Sequence, residues 1–273
     1  MKYKLVAIDL DGTLLDDQKK ISPENIAAIQ KLQEAGVVVV LASGRAFQGI
    51  KKYQPQIGVQ GLAISYNGAM VADIQTGQIF SQDLMANSDA KALVAHGLDW
   101  ETTMCLWSQH QLYTNVYNKR VEEYESFSNV PAIVLKHSTD FDQIIDQGLS
   151  KIFWYDDPDR IEDFEETLLG ARDLWPQTTI CKSGTHFLEF FHQDTSKGLA
   201  LAKIGKRLDI PAEAMISFGD AANDLSMLTY AGLGVAMGNA SPEVKEAADF
   251  ITLTNEENGV AYALDQFILQ ASY

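Results

Sequence analysis

The chain has 273 residues, 46% of them hydrophobic, enough for one large domain or two ordinary ones with real cores. Its 37 acidic against 21 basic residues leave a formal charge of −16. With no Lys/Arg-rich run, that balance argues against a nucleic-acid or anionic-membrane surface. The two cysteines, Cys105 and Cys181, lack CxxC or Cys/His metal spacing and read as reduced thiols. Asp9 and Asp11 break the first apolar run too early for a signal peptide, and the apolar run 37–42 is far too short to span a bilayer. A cytoplasmic protein with no membrane partner is expected.

The first strand is expected at 4–8. A helix follows, with Ser22 as N-cap, Pro23 in its first turn and Gly36 just past its end. Ile26, Ile29, Leu32 and Ala35 give it one buried face. Residues 37–42 are β-branched and uninterrupted, as a parallel strand covered on both faces should be. A third strand falls at 62–66, and Asn67-Gly68 turns the chain into 70–72.

From about residue 83 the pattern changes to short alternating segments at 104–107, 112–114, 151–155, 178–181 and 187–191. Helical stretches near 89–100, 119–127 and 159–169 intervene, which suits an antiparallel sheet with helices on one face. After about 193 the βα rhythm returns: helix 196–208, strand 214–218, helix 222–229, strand 233–236, helix 242–247, a short strand 249–251 and a last helix. The expected architecture is α/β: a doubly wound, Rossmann-like parallel-sheet core from residues 1–82 and 190–273, with an α+β domain, 83–189, inserted in it.

Chemistry gathers where strands end. Asp9 and Asp11 are spaced i, i+2 at the end of the first strand, so they start from the same side, and Gly12 permits a sharp turn after them. Such a pair can hold a divalent cation and present one carboxylate as a nucleophile, where ligands bind in open α/β sheets. Ser43-Gly44-Arg45 directly follows the second strand and offers a hydroxyl and a flexible backbone to an anion. Lys197 falls in the first turn of a helix, the wrong end for a cation by the dipole argument. Asp220 takes the same strand-end position as Asp9, and Asn223 and Asp224 open the helix after it. Two carboxylates from the first strand and one from here make the all-oxygen site that Mg²⁺ prefers. If the substrate is a phosphate, a local positive cluster must offset the average negative field.

Taken in order, Asp9-Leu-Asp-Gly-Thr13, Ser43-Gly-Arg45, Lys197 and Gly219-Asp-Ala-Ala-Asn-Asp224 resemble the haloacid dehalogenase-like hydrolase superfamily. Ser65-Tyr-Asn-Gly-Ala69, Phe187-Leu-Glu189, Met237-Gly-Asn-Ala240 and Asn258-Gly-Val-Ala261 narrow the resemblance to Cof-type phosphatases, whose large type IIB cap is inserted late in the core and selects the substrate. Two departures stand out: Ser43 replaces the usual Thr, and residues 191–195 lack the usual Pro and Gly.

The resemblance implies Asp9 as nucleophile, forming an aspartyl-phosphate, with Asp11 as general acid and base. It implies that Ser43, the amides of Gly44 and Leu10, and Lys197 hold the phosphoryl oxygens, with Asn223 touching phosphate or orienting Lys197. Mg²⁺ would be held by Asp9, the Asp11 carbonyl and Asp220, with Asp224 on a metal-bound water. Lys197 and Mg²⁺ are expected to lower the Asp9 pKa. Arg45, Asn67 and His186 are candidates for substrate selection, and the substrate is a small phosphomonoester such as a sugar phosphate or phosphorylated cofactor. A phosphomutase on the same core, or a catalytically silent phosphometabolite-binding protein, remains open. The presence of Asp9, Asp11, Lys197 and Asp220 weighs against the silent protein.

Overall fold

A computed structural model of the chain describes residues 2–269. The chain forms two compact units, one built from residues up to Ser81 and from Ser196 onward, the other from Gln82–Thr195.

In the first unit, strands β1 (Leu5–Asp9), β2 (Val38–Ala42), β3 (Leu62–Ser65), β4 (Met70–Asp73) and β5 (Ile79–Gln82) come before the inserted unit. The inserted unit holds β6 (Thr103–Ser108), β7 (Gln111–Thr114), β8 (Ala132–Val134), β9 (Lys151–Tyr155), β10 (Thr178–Gly184) and β11 (Phe187–His192). β12 (Met215–Gly219), β13 (Leu233–Ala236) and β14 (Phe250–Ile251) return to the first sheet. The order of that sheet is β14-β13-β12-β1-β2-β3-β4-β5. β1 lies between β12 and β2 and is parallel to both, with Leu5 opposite Met215 and Val38. β3 and β4 run antiparallel, with Leu62 opposite Asp73.

Successive side chains of β1 face opposite layers. Val6 and Ile8 pack with Ile29 and Leu32 of helix Pro23–Glu34 and with Val260 and Leu264 of helix Gly259–Leu264. Leu5 and Ala7 pack with Ala200, Leu201 and Ile204 of helix Lys197–Leu208 and with Met227. Both faces are thus covered, which is why the strands read as unbroken apolar runs. Because β1, β2 and β12 are parallel, their carboxyl ends lie at one edge of the sheet, and Asp9 and Asp220 are brought together there.

The inserted unit is a six-stranded sheet in the order β10-β11-β9-β6-β7-β8. One face, carrying Met104, Leu106, Ile152, Trp154 and Leu188, packs on helices Asn87–Asp99, Ser138–Gln147 and Pro158–Gly170. Helix Ser138–Gln147 and strand β8 have no counterpart in the sequence expectation. The helix is short, its buried stripe only Phe141, Ile144 and Ile145. The chain also stays in this unit beyond residue 190, because β11 continues to His192 while pairing with β10. Among the described residues no helix is long and apolar enough to cross a membrane.

Candidate active site

Asp9 closes β1 with its side chain turned inward, 4% exposed. Its Oδ1 accepts from Lys197 Nζ at 2.6 Å, and the same ammonium donates to Asp224 Oδ1 at 2.6 Å. Lys197 is fully buried at the first residue of its helix, which Ser196 Oγ caps by accepting from the Leu199 amide. Two carboxylates, not the helix, explain a lysine at the positive end of a dipole. Asp224 is oriented in turn, its Oδ2 accepting from the amides of Asp220 and Ala221 at 3.0 Å each. Asp220 Oδ1 accepts from the Thr13 hydroxyl at 2.9 Å. Gly12 has φ +79°, and a Cβ there would strike the Asp220 carboxylate, so the turn after Asp11 requires glycine twice over.

Carboxylate oxygens of Asp9, Asp220 and Asp224 all lie within 4.8 Å of one another. Three acids therefore crowd one ammonium. Burial pushes the Asp9 carboxyl well above its ordinary pKa; Lys197 opposes this, while Asp224 and Asp220 add to it. Desolvation outweighs the lysine taken by itself, whereas the expected lowering named Lys197 and a bound Mg²⁺ together. Burial likewise pushes Asp220 up to about 6. A hard divalent cation would remove this surplus negative charge, and an all-oxygen donor set of this kind suits one.

Asp11 faces different neighbours. Arg45, itself buried, forks onto its carboxylate, Nε to Oδ2 at 2.6 Å and Nη2 to Oδ1 at 2.7 Å. Lys19 Nζ lies 3.0 Å from Oδ1. Burial alone would raise this carboxyl, but the bonds and charge of Arg45, then Lys19, outweigh it and hold it at about 2. Arg45, a candidate for substrate selection, is thus engaged with Asp11.

The remaining motif residues form a linked rim. Ser43 Oγ accepts from the Arg45 amide at 3.2 Å, and its carbonyl accepts from the Asn67 amide at 3.1 Å. Asn67 is left-handed, φ 57°, and its Oδ1 accepts from Asn223 Nδ2 at 2.9 Å. A Cβ on Gly44 would come 2.8 Å from that same Oδ1. Asn223 is therefore held by Asn67, and Asp224, not Asn223, takes Lys197. Leu10 is buried between the two aspartates. His186 belongs to the inserted unit, between β10 and β11, with Nδ1 2.9 Å from the Asp156 carbonyl.

A family model described as haloacid dehalogenase-like hydrolase matches residues 6–264. The chain belongs to the haloacid dehalogenase-like hydrolases. It is similar to YxeH of Bacillus subtilis (strain 168), 33% identical over 271 residues that cover 98% of this chain and 99% of YxeH. It is also similar to 5-amino-6-(5-phospho-D-ribitylamino)uracil phosphatase YcsE of the same organism, 31% identical, covering 97% and 96%. A solved haloacid dehalogenase-like hydrolase from Bacteroides thetaiotaomicron superposes with a TM-score of 0.87 at 30% identity, covering 97% of this chain and all of that one. Family and relatives together make the chain a phosphoric monoester hydrolase.

Several residues around this hydrolase site escaped the sequence reading. Thr13 holds Asp220. Asn239 Nδ2 donates to the Gly12 carbonyl at 2.8 Å, and Asn255 donates its amide to Asn239 Oδ1 and its Nδ2 to the Leu15 carbonyl. Asn239 lies in one of the motifs behind the resemblance, but nothing in its spacing announces a bond to residue 12.

The raised carboxyls give a signed expectation. Folded Asp220 keeps its proton to about 6, whereas an unfolded Asp loses it near ~3.9. Between those values the folded state binds more protons, so this group makes stability fall as pH rises, and the deficit persists above. Asp9 acts in the same direction. A cation relieves the deficit only where the carboxylates are ionised. Millimolar MgCl₂ should therefore raise the melting temperature clearly at about pH 8 and little at about pH 5. Equal shifts at both would separate metal binding from these acids.

Proposed function

We propose that the protein is a Mg²⁺-dependent phosphatase acting on small phosphorylated metabolites through an aspartyl-phosphate at Asp9. The observation that carries this reading is the buried Asp9 carboxylate beside Lys197, inside the three-aspartate cluster, with a second carboxylate two residues on. In this reading Asp9 attacks phosphorus, a new O–P bond forms, and the ester O–P bond breaks. The departing alkoxide takes a proton from Asp11. Asp11 then takes a proton from water, whose oxygen attacks phosphorus and releases inorganic phosphate from Asp9.

The chain's own groups support each part. An ammonium has three donors, so Lys197 can serve Asp9, Asp224 and a phosphoryl oxygen together. Ser43 Oγ and the amides of Gly44 and Leu10 are assigned the other oxygens, where charge accumulates. Mg²⁺ held by Asp9, Asp220 and the Asp11 carbonyl, with Asp224 ordering the surroundings, would neutralise charge on the phosphoryl group and on Asp9. The fork of Arg45 keeps Asp11 ionised at rest, so Asp11 must leave that fork and take up a proton from solvent before the ester bond breaks; the proton it later takes from water returns to solvent and closes the cycle. YcsE, with a phosphorylated ribitylamino-uracil in its name, marks the size and chemistry of the substrate class.

Hydrolysis of p-nitrophenyl phosphate should vanish in EDTA and return with Mg²⁺; full activity in metal-free protein would sink the reading. Asp11→Asn should lose alkyl phosphates by about 10²-fold or more relative to p-nitrophenyl phosphate, because p-nitrophenolate leaves without a proton. Equal losses on both would remove Asp11 from the role of acid.

A further inference from the structure

Two cations flank Asp11, and one of them exceeds what that carboxylate needs. The buried Arg45 fork already engages both of its oxygens. Lys19 adds a second positive charge at 3.0 Å with its side chain 53% exposed. Asp11 thus has two cations in direct contact, in a protein of net charge −16. Around Asp9, by contrast, three acids crowd one ammonium.

Lys19 is held in place by its loop. Its backbone is left-handed, φ 62°, a region a lysine rarely adopts. Its amide donates to the Asp16 carbonyl at 2.9 Å, and the Asp16 amide donates to the Lys20 carbonyl at 2.9 Å. The Tyr53 hydroxyl donates to the Lys19 carbonyl at 3.4 Å, and the Asp17 amide donates to Glu256 Oε1 at 2.7 Å. The loop's own acids are turned to other donors, Asp16 Oδ1 accepting from the Lys20 amide and Asp17 Oδ1 from Asn255, while the Lys19 ammonium pairs with Asp11. A pinned loop thus presents an ammonium to solvent beside the residue assigned to the leaving-group oxygen.

We infer that Lys19 is a specificity-determining residue that binds a second anionic group, carboxylate or phosphate, carried by the leaving group within a few bonds of the ester oxygen. The inference rests on the phosphatase reading and narrows its substrates to phosphate monoesters of hydroxy acids or to bisphosphorylated metabolites. Short reach sets the distance: an ammonium in contact with Asp11 meets only what lies next to the oxygen Asp11 protonates.

The test uses the full chain with Mg²⁺ and p-nitrophenyl phosphate as reporter. Glycerol 2-phosphate and 2-phosphoglycerate, which differ only in a hydroxymethyl against a carboxylate, compete for the site. Comparison of 2,3-bisphosphoglycerate with 2-phosphoglycerate examines a second phosphate in the same way. The wild type should bind the more charged member of at least one pair about tenfold more tightly, the worth of one charge-assisted bond. Lys19→Gln should bring that ratio to within about twofold and Lys19→Arg should keep it. A ratio cancels any uniform effect of the substitution on turnover. The pair that shows the preference identifies carboxylate or phosphate as the group bound. No preference in either pair, or a preference that survives Lys19→Gln, overturns the inference. Loss of the p-nitrophenyl phosphate signal in wild-type protein with Mg²⁺ instead removes the phosphatase reading itself.

Discussion

Asp9→Asn should reduce phosphatase turnover by about 10⁴-fold or more, while the protein folds as well as before. An amide oxygen is no nucleophile toward phosphorus, and it also withdraws one charged ligand from the metal cluster. Stability should move little, for a reason the geometry supplies. Asn Oδ1 can still accept from Lys197, which keeps its bond to Asp224. Burial raises the Asp9 carboxyl, so at neutral pH its ionised form weighs against the folded state. The neutral amide relieves that cost. Melting in EDTA should thus show a midpoint equal to or above that of the wild type, and an assay with p-nitrophenyl phosphate should show background rates. Activity within about tenfold of the wild type would mean another group attacks phosphorus.

The legible and illegible parts of the site differ physically. Strand ends were readable because β1 and β12 are covered on both faces and so appear as apolar runs that stop abruptly at Asp9 and Gly219. Helix starts were readable where a serine caps them, as Ser22 and Ser196 do. Lys197 announced itself through a misfit with the helix dipole. What the sequence hides is pairing between side chains on separate elements. Arg45 shows as a residue of the second segment, but its fork on Asp11 spans 34 positions and depends on how β1 and β2 lie side by side. Lys19 reads as one more surface lysine of a loop until its left-handed backbone is seen. The return point of the chain was hidden for a similar reason. Alternation at 187–191 marks a strand of the inserted unit, but only its register with β10 and β9 carries that strand past residue 190 to His192. Helix Ser138–Gln147 escaped because three apolar residues are too few to establish a period.

Lys197→Ala should cost a large part of the protein's stability. The side chain is fully buried and is the ammonium between Asp9 and Asp224, so its removal leaves two buried carboxylates facing each other with Asp220 beside them. Breaking a buried pair from one side costs about 3–5 kcal/mol, because the charge left behind is uncompensated. The sign with pH follows from the groups themselves. Burial alone would lower the Lys197 pKa, but Asp9 and Asp224 more than reverse this and raise it. Its stabilising contribution is therefore complete below the unfolded lysine value of ~10.4 and fades only as pH rises through the higher folded value. In the variant, by contrast, the orphaned carboxyls escape their repulsion by taking up protons. The gap between variant and wild type should be widest at about pH 8 and narrow toward about pH 5. Denaturant melts of both proteins in EDTA at the two pH values measure that gap directly. Millimolar Mg²⁺ should then stabilise the variant at about pH 8 more than it stabilises the wild type, since the cation replaces part of the missing charge. Turnover should not return with it: an added metal ion neutralises the acids but leaves vacant the donor that Lys197 would offer to the phosphoryl oxygen. A variant that melts like the wild type at both pH values would show that the two 2.6 Å contacts carry no net stabilisation. Recovery of turnover by metal alone would take Lys197 out of phosphate binding and leave it as the counter-charge that keeps Asp9 and Asp224 in place.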